Sequence, residues 1–359
     1  MNGHPLQRTV PRPRLGFLGV GWIGRHRMEA ILRGERAEVV GVAEPSEAAA
    51  REASRLAPGS VRVDSLEALL DLGLDGVVIA TPSAFHAEQS VRALERGVAV
   101  FCQKPLGRTQ EEVRRVVDAA RAADRLLGVD LSYRFTTGMR RLRERIQSGA
   151  LGDIHAVNLV FHNAHGPDKA WFYDPRLSGG GCVMDLGIHL VDLALWVLGF
   201  PEVRRVTSQL FAQGRPISGR TEAVEDFAAA QLELAPGTAV QLACSWKLSA
   251  GCDAVIEASF YGTQGGASFR NVNGSFYDFT ADLFRGTSRE RLTEPPEEWG
   301  GRAAADWVAR LAQGARFEPE SEEFVQVAGA LERIYGETRG LPPEVSSFSD
   351  SPPSVSAVD

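Results

Sequence analysis

The residues of this 359-residue chain best suited to acid–base chemistry sit on two apolar stretches far apart in sequence. The first is Phe101-Cys102-Gln103-Lys104-Pro105-Leu106. Its apolar lead-in, Val98 to Phe101, predicts a buried parallel strand whose polar end emerges at the carboxyl edge of a sheet, where open α/β sheets bind ligands. Lys104 is one of only three lysines, with Lys169 and Lys247, and the other 36 of the 39 basic residues are arginine. A chain that writes nearly every cation as arginine and still keeps a lysine here has kept the cation able to release a proton. The second stretch follows Gly179-Gly180-Gly181 and runs from Val183 through Asp185, His189 and Asp192. Asp185 and His189 are four residues apart and Asp192 three further on, so a helix would carry all three on one stripe. Such a stripe among apolar neighbours is either a buried hydrogen-bonded cluster or a catalytic pair in which a carboxylate orients an imidazole.

The elements that hold Lys104 at a sheet edge are legible around it. Leu15 to Leu18 is a short apolar strand running into Gly19-Val20-Gly21-Trp22-Ile23-Gly24, and Arg25 to Leu32 has helical character. This is G-x-G-x-x-G in its required setting: the first glycine permits a tight turn, the second lets backbone N–H groups approach a pyrophosphate, and the third allows close helix–strand packing. The following helix N-terminus adds the positive end of a dipole. Glu38 to Ala43 is the next strand, and Glu44 ends it 20 residues beyond Gly24, where a carboxylate accepts hydrogen bonds from an adenosine ribose. A carboxylate there repels a 2′-phosphate, which favours NAD, while nearby Ser46 and Arg51 keep NADP open. The alternation continues with a helix from Leu66 to Leu72 capped by Ser65, a strand from Asp75 to Thr81, a helix from Ser83 to Arg96, a helix from Thr109 to about Ala123, and a sixth strand at Leu126 to Asp130. Thr81-Pro82 ends its strand at the edge that carries Lys104; His86 in the helix beyond reads as a capping or packing histidine. Residues 14–131 thus read as an α/β domain of Rossmann type, a doubly wound parallel sheet.

Beyond Asp130 the pattern changes. Ser132-Tyr133-Arg134-Phe135 leads to an Arg-rich helix from Met139 to Gln147 and a strand from Ile154 to Phe161; segments 225–234, 239–248, 254–262, 266–272 and 276–283 have strand-like composition between turn residues, and Glu322 to Tyr335 is an amphipathic helix. Residues 132–340 therefore read as an α+β domain built on a large mixed, mostly antiparallel open sheet. Residues 1–13 read as a flexible arm and 341–359, rich in Ser and Pro, as a disordered tail. A sheet with helices on one face leaves the other to be covered, which predicts a homodimer or homotetramer through the second domain. A formal charge of -7 with no basic stripe argues against nucleic acid or an anionic membrane as partner and for a small molecule. No apolar run of the sequence approaches membrane-spanning length. Cys102, Cys182, Cys244 and Cys252 show no metal-ligand spacing, and His162 and His165 lack a neighbouring ligand, so no metal site is expected; with no apolar leader, the setting reads as reducing and cytoplasmic.

Taken in order, Gly19-x-Gly-x-x-Gly24, the Thr81-Pro82 strand end, Lys104-Pro105-Leu106, Tyr133-Arg134-Phe135, the approach from Trp171 to Gly181, and Asp185-x-Gly-x-His189-x-x-Asp192 resemble the Gfo/Idh/MocA oxidoreductases over roughly residues 14 to 340. The conjunction is specific although no single motif is. The resemblance implies hydride transfer between a secondary alcohol of a sugar or cyclitol and a nicotinamide cofactor, with Lys104, Asp185 and His189 forming the active site. The cofactor-binding set expected with it is Gly19, Gly21, Trp22, Ile23, Gly24, Glu44, Thr81, Pro82, His86, Gln103, Lys104 and Arg134. Tyr133, His162, Lys169 and Trp171, with Asp185 and His189, are the candidates for substrate contacts.

One departure stands out. The family's usual Glu-Lys-Pro is Gln103-Lys104-Pro105 here, which removes a charge favouring a protonated lysine and predicts a Lys104 that loses its proton more readily than in glutamate-bearing relatives. The bond before Pro105 is open to the cis form. For alcohol oxidation a base must take the hydroxyl proton as hydride leaves; His189 fits that role at its ordinary pKa, with Lys104 polarising the substrate oxygen, and the two roles are exchangeable. Asp185 would orient the imidazole or bind a neighbouring hydroxyl. A keto-sugar reductase, an NAD-dependent redox-neutral glycosidase of the same family and a nonenzymatic dinucleotide sensor are the rival readings; the sensor has no use for a lysine and histidine converging on the nicotinamide.

Overall fold

The computed structural model describes residues 12–218 and 223–336; the tail expected over 341–359, and all of the arm but its last two residues, lie outside them. In the first domain β1 (Arg14–Leu18), α1 (Trp22–Arg33), β2 (Glu38–Ala43), α2 (Glu47–Leu56), β3 (Val61–Val63), α3 (Leu66–Leu70), β4 (Gly76–Ile79), α4 (Ser83–Glu95), β5 (Ala99–Cys102), α5 (Gln110–Ala123) and β6 (Leu127–Val129) alternate. The six strands pair in parallel in the order β3-β2-β1-β4-β5-β6. This is the expected doubly wound sheet, and the order reverses between β1 and β4, so a crevice opens there above the strand ends. Helices on both faces explain the continuous apolar strands: Val77, Val78 and Ile79 have no exposed surface at all.

The second domain begins with α6 (Thr137–Gln147) and β7 (Ile154–Asn163). There follow the short α7 (Pro175–Ser178), a π-helical turn at Val183–Gly187, and α8 (Ile188–Val197). The strands β8 (Val203–Ala212), β9 (Arg215–Ile217), β10 (Phe227–Leu234), β11 (Thr238–Ser245), β12 (Ala254–Gly262), β13 (Gly266–Asn271), β14 (Phe279–Arg285) and β15 (Ser288–Thr293) come next, then α9 (Arg302–Ala312) and α10 (Glu322–Ile334). Nine strands form one open sheet in the order β15-β14-β13-β12-β7-β11-β10-β8-β9, antiparallel at every junction except β7 with β11. The mixed, mostly antiparallel sheet is as expected, and α2, β3, α7, β8, β9, β15 and α9 are additions to the sequence reading. Alternation along β7 buries Val157, Leu159 and Phe161 on the face covered by α8 and turns Asn158, Val160 and His162 to the other.

Two elements depart from expectation in where they pack. Although α9 follows the second sheet in sequence, Ala303, Ala304, Trp307 and Val308 join the core of the first, with the Trp307 ring 5.7 Å from that of Phe101. The helical stretch Pro175–Val197, 23 residues, is long and apolar enough to cross a membrane by length and composition, contrary to the sequence reading; 94% of its apolar window is buried inside the protein, so it is a core helix.

Candidate active site

The glycine turn between β1 and α1 is built for close approach. Gly19 has φ +84°, and a Cβ there would lie 2.6 Å from the Ala80 carbonyl oxygen, while one on Gly24 would lie 2.4 Å from that of Gly19. No side chain fits at either position, and the turn presents bare backbone to the crevice, as a diphosphate requires. Glu44 leaves β2 beside it and is fixed at both oxygens: the Val20 N–H donates to Oε2 at 2.8 Å and the Ser46 N–H to Oε1 at 2.9 Å. Of the two arginines near this carboxylate, Arg62 lines the crevice and donates to the Glu44 carbonyl at 3.2 Å, whereas Arg51 faces Glu47 on the surface.

Lys104 emerges from β5 through a cis bond to Pro105. His86 braces this corner. Its Nδ1 lies 2.7 Å from the Pro105 carbonyl oxygen and its Nε2 2.7 Å from that of Thr81, so the ring is wedged between the Lys104 corner and the end of β4 and, when neutral, donates to one of the two carbonyls. Burial and the Lys104 charge push its pKa down against the pull of the two carbonyls. His86 therefore has no nitrogen to spare for the cofactor that the sequence reading gave it; it positions the two strand ends.

Gln103 is buried, and its amide Nε2 donates to Asp130 Oδ2 at 2.5 Å; Arg27 Nε donates to the same oxygen. The sequence expectation of a more readily deprotonated lysine counted only the carboxylate lost at position 103. A carboxylate is present on the adjoining strand end, against the glutamine that replaces the other. Gln103→Glu should accordingly bring two carboxylates into contact with one guanidinium between them. One of the pair then has a folded-state pKa above its unfolded value, so the folded protein binds the extra proton and loses stability as pH rises. The melting temperature of Gln103→Glu, relative to the unaltered protein, should fall between about pH 5 and about pH 8. A difference independent of pH would contradict this.

Asp185 and His189 arrive on the π turn and α8. Glu225, buried, accepts from the Gly181 and Val183 N–H groups, each at 2.9 Å, and from the Tyr335 hydroxyl at 2.8 Å, fixing the entry to this helix; burial raises its pKa. The extra residue of the π turn rotates Asp185 out of the expected stripe. Its Oδ1 receives the Lys104 ammonium at 2.6 Å, its carbonyl oxygen receives it at 2.7 Å, and its Oδ2 accepts from the Trp246 indole at 3.0 Å. Asp185 therefore holds Lys104 and does not orient His189. Asp192 turns the other way and binds Arg134.

His189 is 8% exposed, packs edge-on against Tyr133 at 5.0 Å, and its Nδ1 is fully buried with no hydrogen-bond partner. Burial, Lys104 and Arg27 hold its pKa well below the ordinary 6.5. The sequence reading had it titrating at its ordinary value. Burial likewise keeps the Tyr133 phenol protonated.

Lys104, Asp185 and His189 line one cleft of about 1240 Å³ between the domains, which also reaches Gly19, Gly21, Trp22, Ile23, Glu44, Thr81, Pro82, Gln103, Tyr133, Lys169 and Trp171. Three expected residues do not line it. Gly24 packs against the Gly19 carbonyl instead of facing the cleft. Arg134 is committed to Asp192 and Glu323, stacked over Trp196 and Phe200, and is not available to a cofactor. His162 lies on the outward face of β7, stacked on Phe227 and bonded to Ser245 Oγ at 2.8 Å, because alternation turns Phe161 inward in its place. Trp246, Glu225, Asp130 and Arg27 were missed. Asp130 alone carried a usable signal, since it ends a strand at the edge that carries Lys104. Among the described residues no group of three or more His, Cys, Asp or Glu stands ready to hold a metal ion.

A dinucleotide-type turn facing a lysine–aspartate pair and a histidine from a second, open-sheet domain defines a two-domain pyridine-nucleotide oxidoreductase. Residues 14–131 match the oxidoreductase family with an NAD-binding Rossmann fold, and residues 139–268 match the GFO/IDH/MocA C-terminal domain. The chain belongs to the GFO/IDH/MocA family. It is 31% identical over 251 residues to D-glucoside 3-dehydrogenase of Escherichia coli (strain K12), covering 67% of this chain and 69% of that one. It is 27% identical to inositol 2-dehydrogenase 4 of Saccharopolyspora erythraea over 82% of this chain and 86% of the other. Its fold matches a levoglucosan dehydrogenase solved with NADH and levoglucosan, with a TM-score of 0.78 at 21% identity over 90% of this chain and 96% of that one.

Proposed function

We propose that the protein oxidises a secondary alcohol of a neutral sugar or cyclitol with NAD, the reaction running in reverse as reduction of the ketone. The observation that carries this is the meeting of the Lys104–Asp185 pair and a neutral His189, whose Nδ1 has no hydrogen-bond partner, at the base of the interdomain cleft. The nicotinamide, when bound, supplies the carbon that takes the hydride. Gly19 and Gly21 would offer backbone to its diphosphate, Glu44 would accept from its ribose, and Thr81, Pro82 and Gln103 would hold the nicotinamide end. The fixed carboxylate of Glu44 disfavours a 2′-phosphate, and Arg62, the nearest cation, is already paired with Glu47.

Within the chain, Lys104 donates to the substrate oxygen and steadies the negative charge that develops there, and Asp185, anchored by Trp246, keeps the ammonium in place. His189 takes the hydroxyl proton, and the Tyr133 phenol, kept protonated, donates to the ring. The rings of Trp171, Phe172, Tyr277 and Trp299 wall the cleft and suit the apolar face of a pyranose or cyclitol. Arg27, Arg62 and Lys104 are each paired with a carboxylate, so their charges are already balanced and add no net attraction for a sugar acid or sugar phosphate. The names of the glucoside and inositol dehydrogenases above support the same class. The half-covered Val160, Phe211, Phe227 and Val255 on the outward face of the second sheet suit a homodimer or homotetramer, and four free cysteines suit the cytoplasm.

The test is reduced-nicotinamide absorbance across glucosides, free aldoses, inositols, sugar acids and sugar phosphates, each with NAD and with NADP. Turnover of neutral ring alcohols, better with NAD, is expected. Silence across the neutral compounds while NADH demonstrably binds, or turnover confined to the anionic ones, would contradict the proposal.

A further inference from the structure

The sequence reading gave Lys169 to the substrate. Its ammonium stands elsewhere: a Cβ built on Gly21, the middle glycine of the turn, would lie 3.3 Å from Lys169 Nζ and, its chain neighbours aside, within 4 Å of no other atom. Gly21 is also the residue before the first turn of α1, a 12-residue helix with no acidic residue in that turn and no side chain capping it. The lysine belongs to the second domain, on the segment between β7 and α7. That segment is anchored to its own domain: the Tyr173 hydroxyl donates to the Pro167 carbonyl at 3.0 Å, the Lys247 N–H to that of His165, and the Lys247 ammonium lies over the Tyr173 ring at 4.9 Å. Among the described residues, Lys169 is the one Lys or Arg lining the cleft without an acidic partner, since Arg27, Arg62 and Lys104 are paired with Asp130, Glu47 and Asp185. Its neighbour Asp168 also lines the cleft.

We infer that Lys169 is the second domain's contact to the dinucleotide diphosphate, closing from above the turn that Gly19, Gly21 and Gly24 form from below. The diphosphate brings two negative charges to a turn that offers N–H groups and a helix dipole, while Arg27, the arginine of α1 that lines the cleft, is paired with Asp130. An exposed ammonium without an acidic partner, beside the middle glycine, supplies that charge. The cofactor is then held by both domains, and the sugar end of the cleft is left without a free cation, which accords with the neutral substrate proposed above.

The test is equilibrium binding of NADH, ADP-ribose and adenosine to the full chain and to Lys169→Met and Lys169→Arg. Lys169 is solvent-exposed, so neither substitution disturbs a core. Lys169→Met should weaken NADH and ADP-ribose alike by roughly tenfold, the loss of one charge-assisted contact, and flatten their salt dependence. Adenosine, which has no phosphate, should bind as before, and arginine should restore most of the loss. At saturating NAD the KM for the sugar should not change. Unaltered ADP-ribose affinity in Lys169→Met would overturn the inference. So would a loss confined to the KM of the sugar, which returns Lys169 to the substrate while leaving the dehydrogenase reading intact.

Discussion

Replacing Lys104 with methionine is expected to lower kcat by roughly two to four orders of magnitude while NADH binds almost as before. Methionine keeps the length and apolar stem, so the change removes the ammonium and little else. Two consequences follow from the geometry. The substrate oxygen loses the donor that steadies its developing charge, and Asp185, 18% exposed, keeps only the Trp246 indole as side-chain partner. The second consequence concerns His189. Lys104 is one of two cations that hold the imidazole pKa down, so the residual activity should show an acid limb shifted up toward 6.5 relative to the unaltered enzyme. Near-normal turnover, or an unmoved limb, would count against the assigned roles.

His189→Ala should cost a comparable roughly two to four orders of magnitude in kcat, again with NADH bound. The pH dependence of the unaltered enzyme is the sharper readout. As a base His189 must be neutral to accept the hydroxyl proton, and burial with Lys104 and Arg27 depresses its pKa. The sign is therefore fixed: kcat/KM for oxidation holds its plateau as pH falls through 6.5 and drops only well below it. In His189→Ala that limb should vanish. An acid limb at or above 6.5 in the unaltered enzyme would exclude a buried, depressed imidazole as the base.

What was legible in the sequence followed how locally each feature is determined. The glycine turn, Glu44 and the strand carrying Lys104 are set by residues a few positions apart, and parallel strands covered on both faces spell themselves as unbroken apolar runs. Lys104 and Asp185, 81 positions apart, were brought together by family resemblance, and their ion pair confirms only that they meet. The stripe drawn through Asp185, His189 and Asp192 assumed 3.6 residues per turn from the start. One π turn at Val183–Gly187 separated the three, sending Asp185 to Lys104 and Asp192 to Arg134. His162 was misplaced for the same kind of reason, since a single residue's difference on a strand changes the face. Trp246 and Glu225 act through contacts to Asp185 and Gly181 that cross 61 and 44 positions, which no local pattern records.

The central claim is that a ring carbon of the substrate gives its hydride to the nicotinamide while the chain's own side chains handle the proton. The most direct measurement is to supply a turned-over sugar or inositol deuterated at every ring carbon, with unlabelled NAD in ordinary water, and to weigh the NADH formed. One deuterium per NADH, retained on C4 of the nicotinamide, with turnover slowed by the label, is the predicted result. NADH without deuterium, or product released with no reduced cofactor at all, would contradict it.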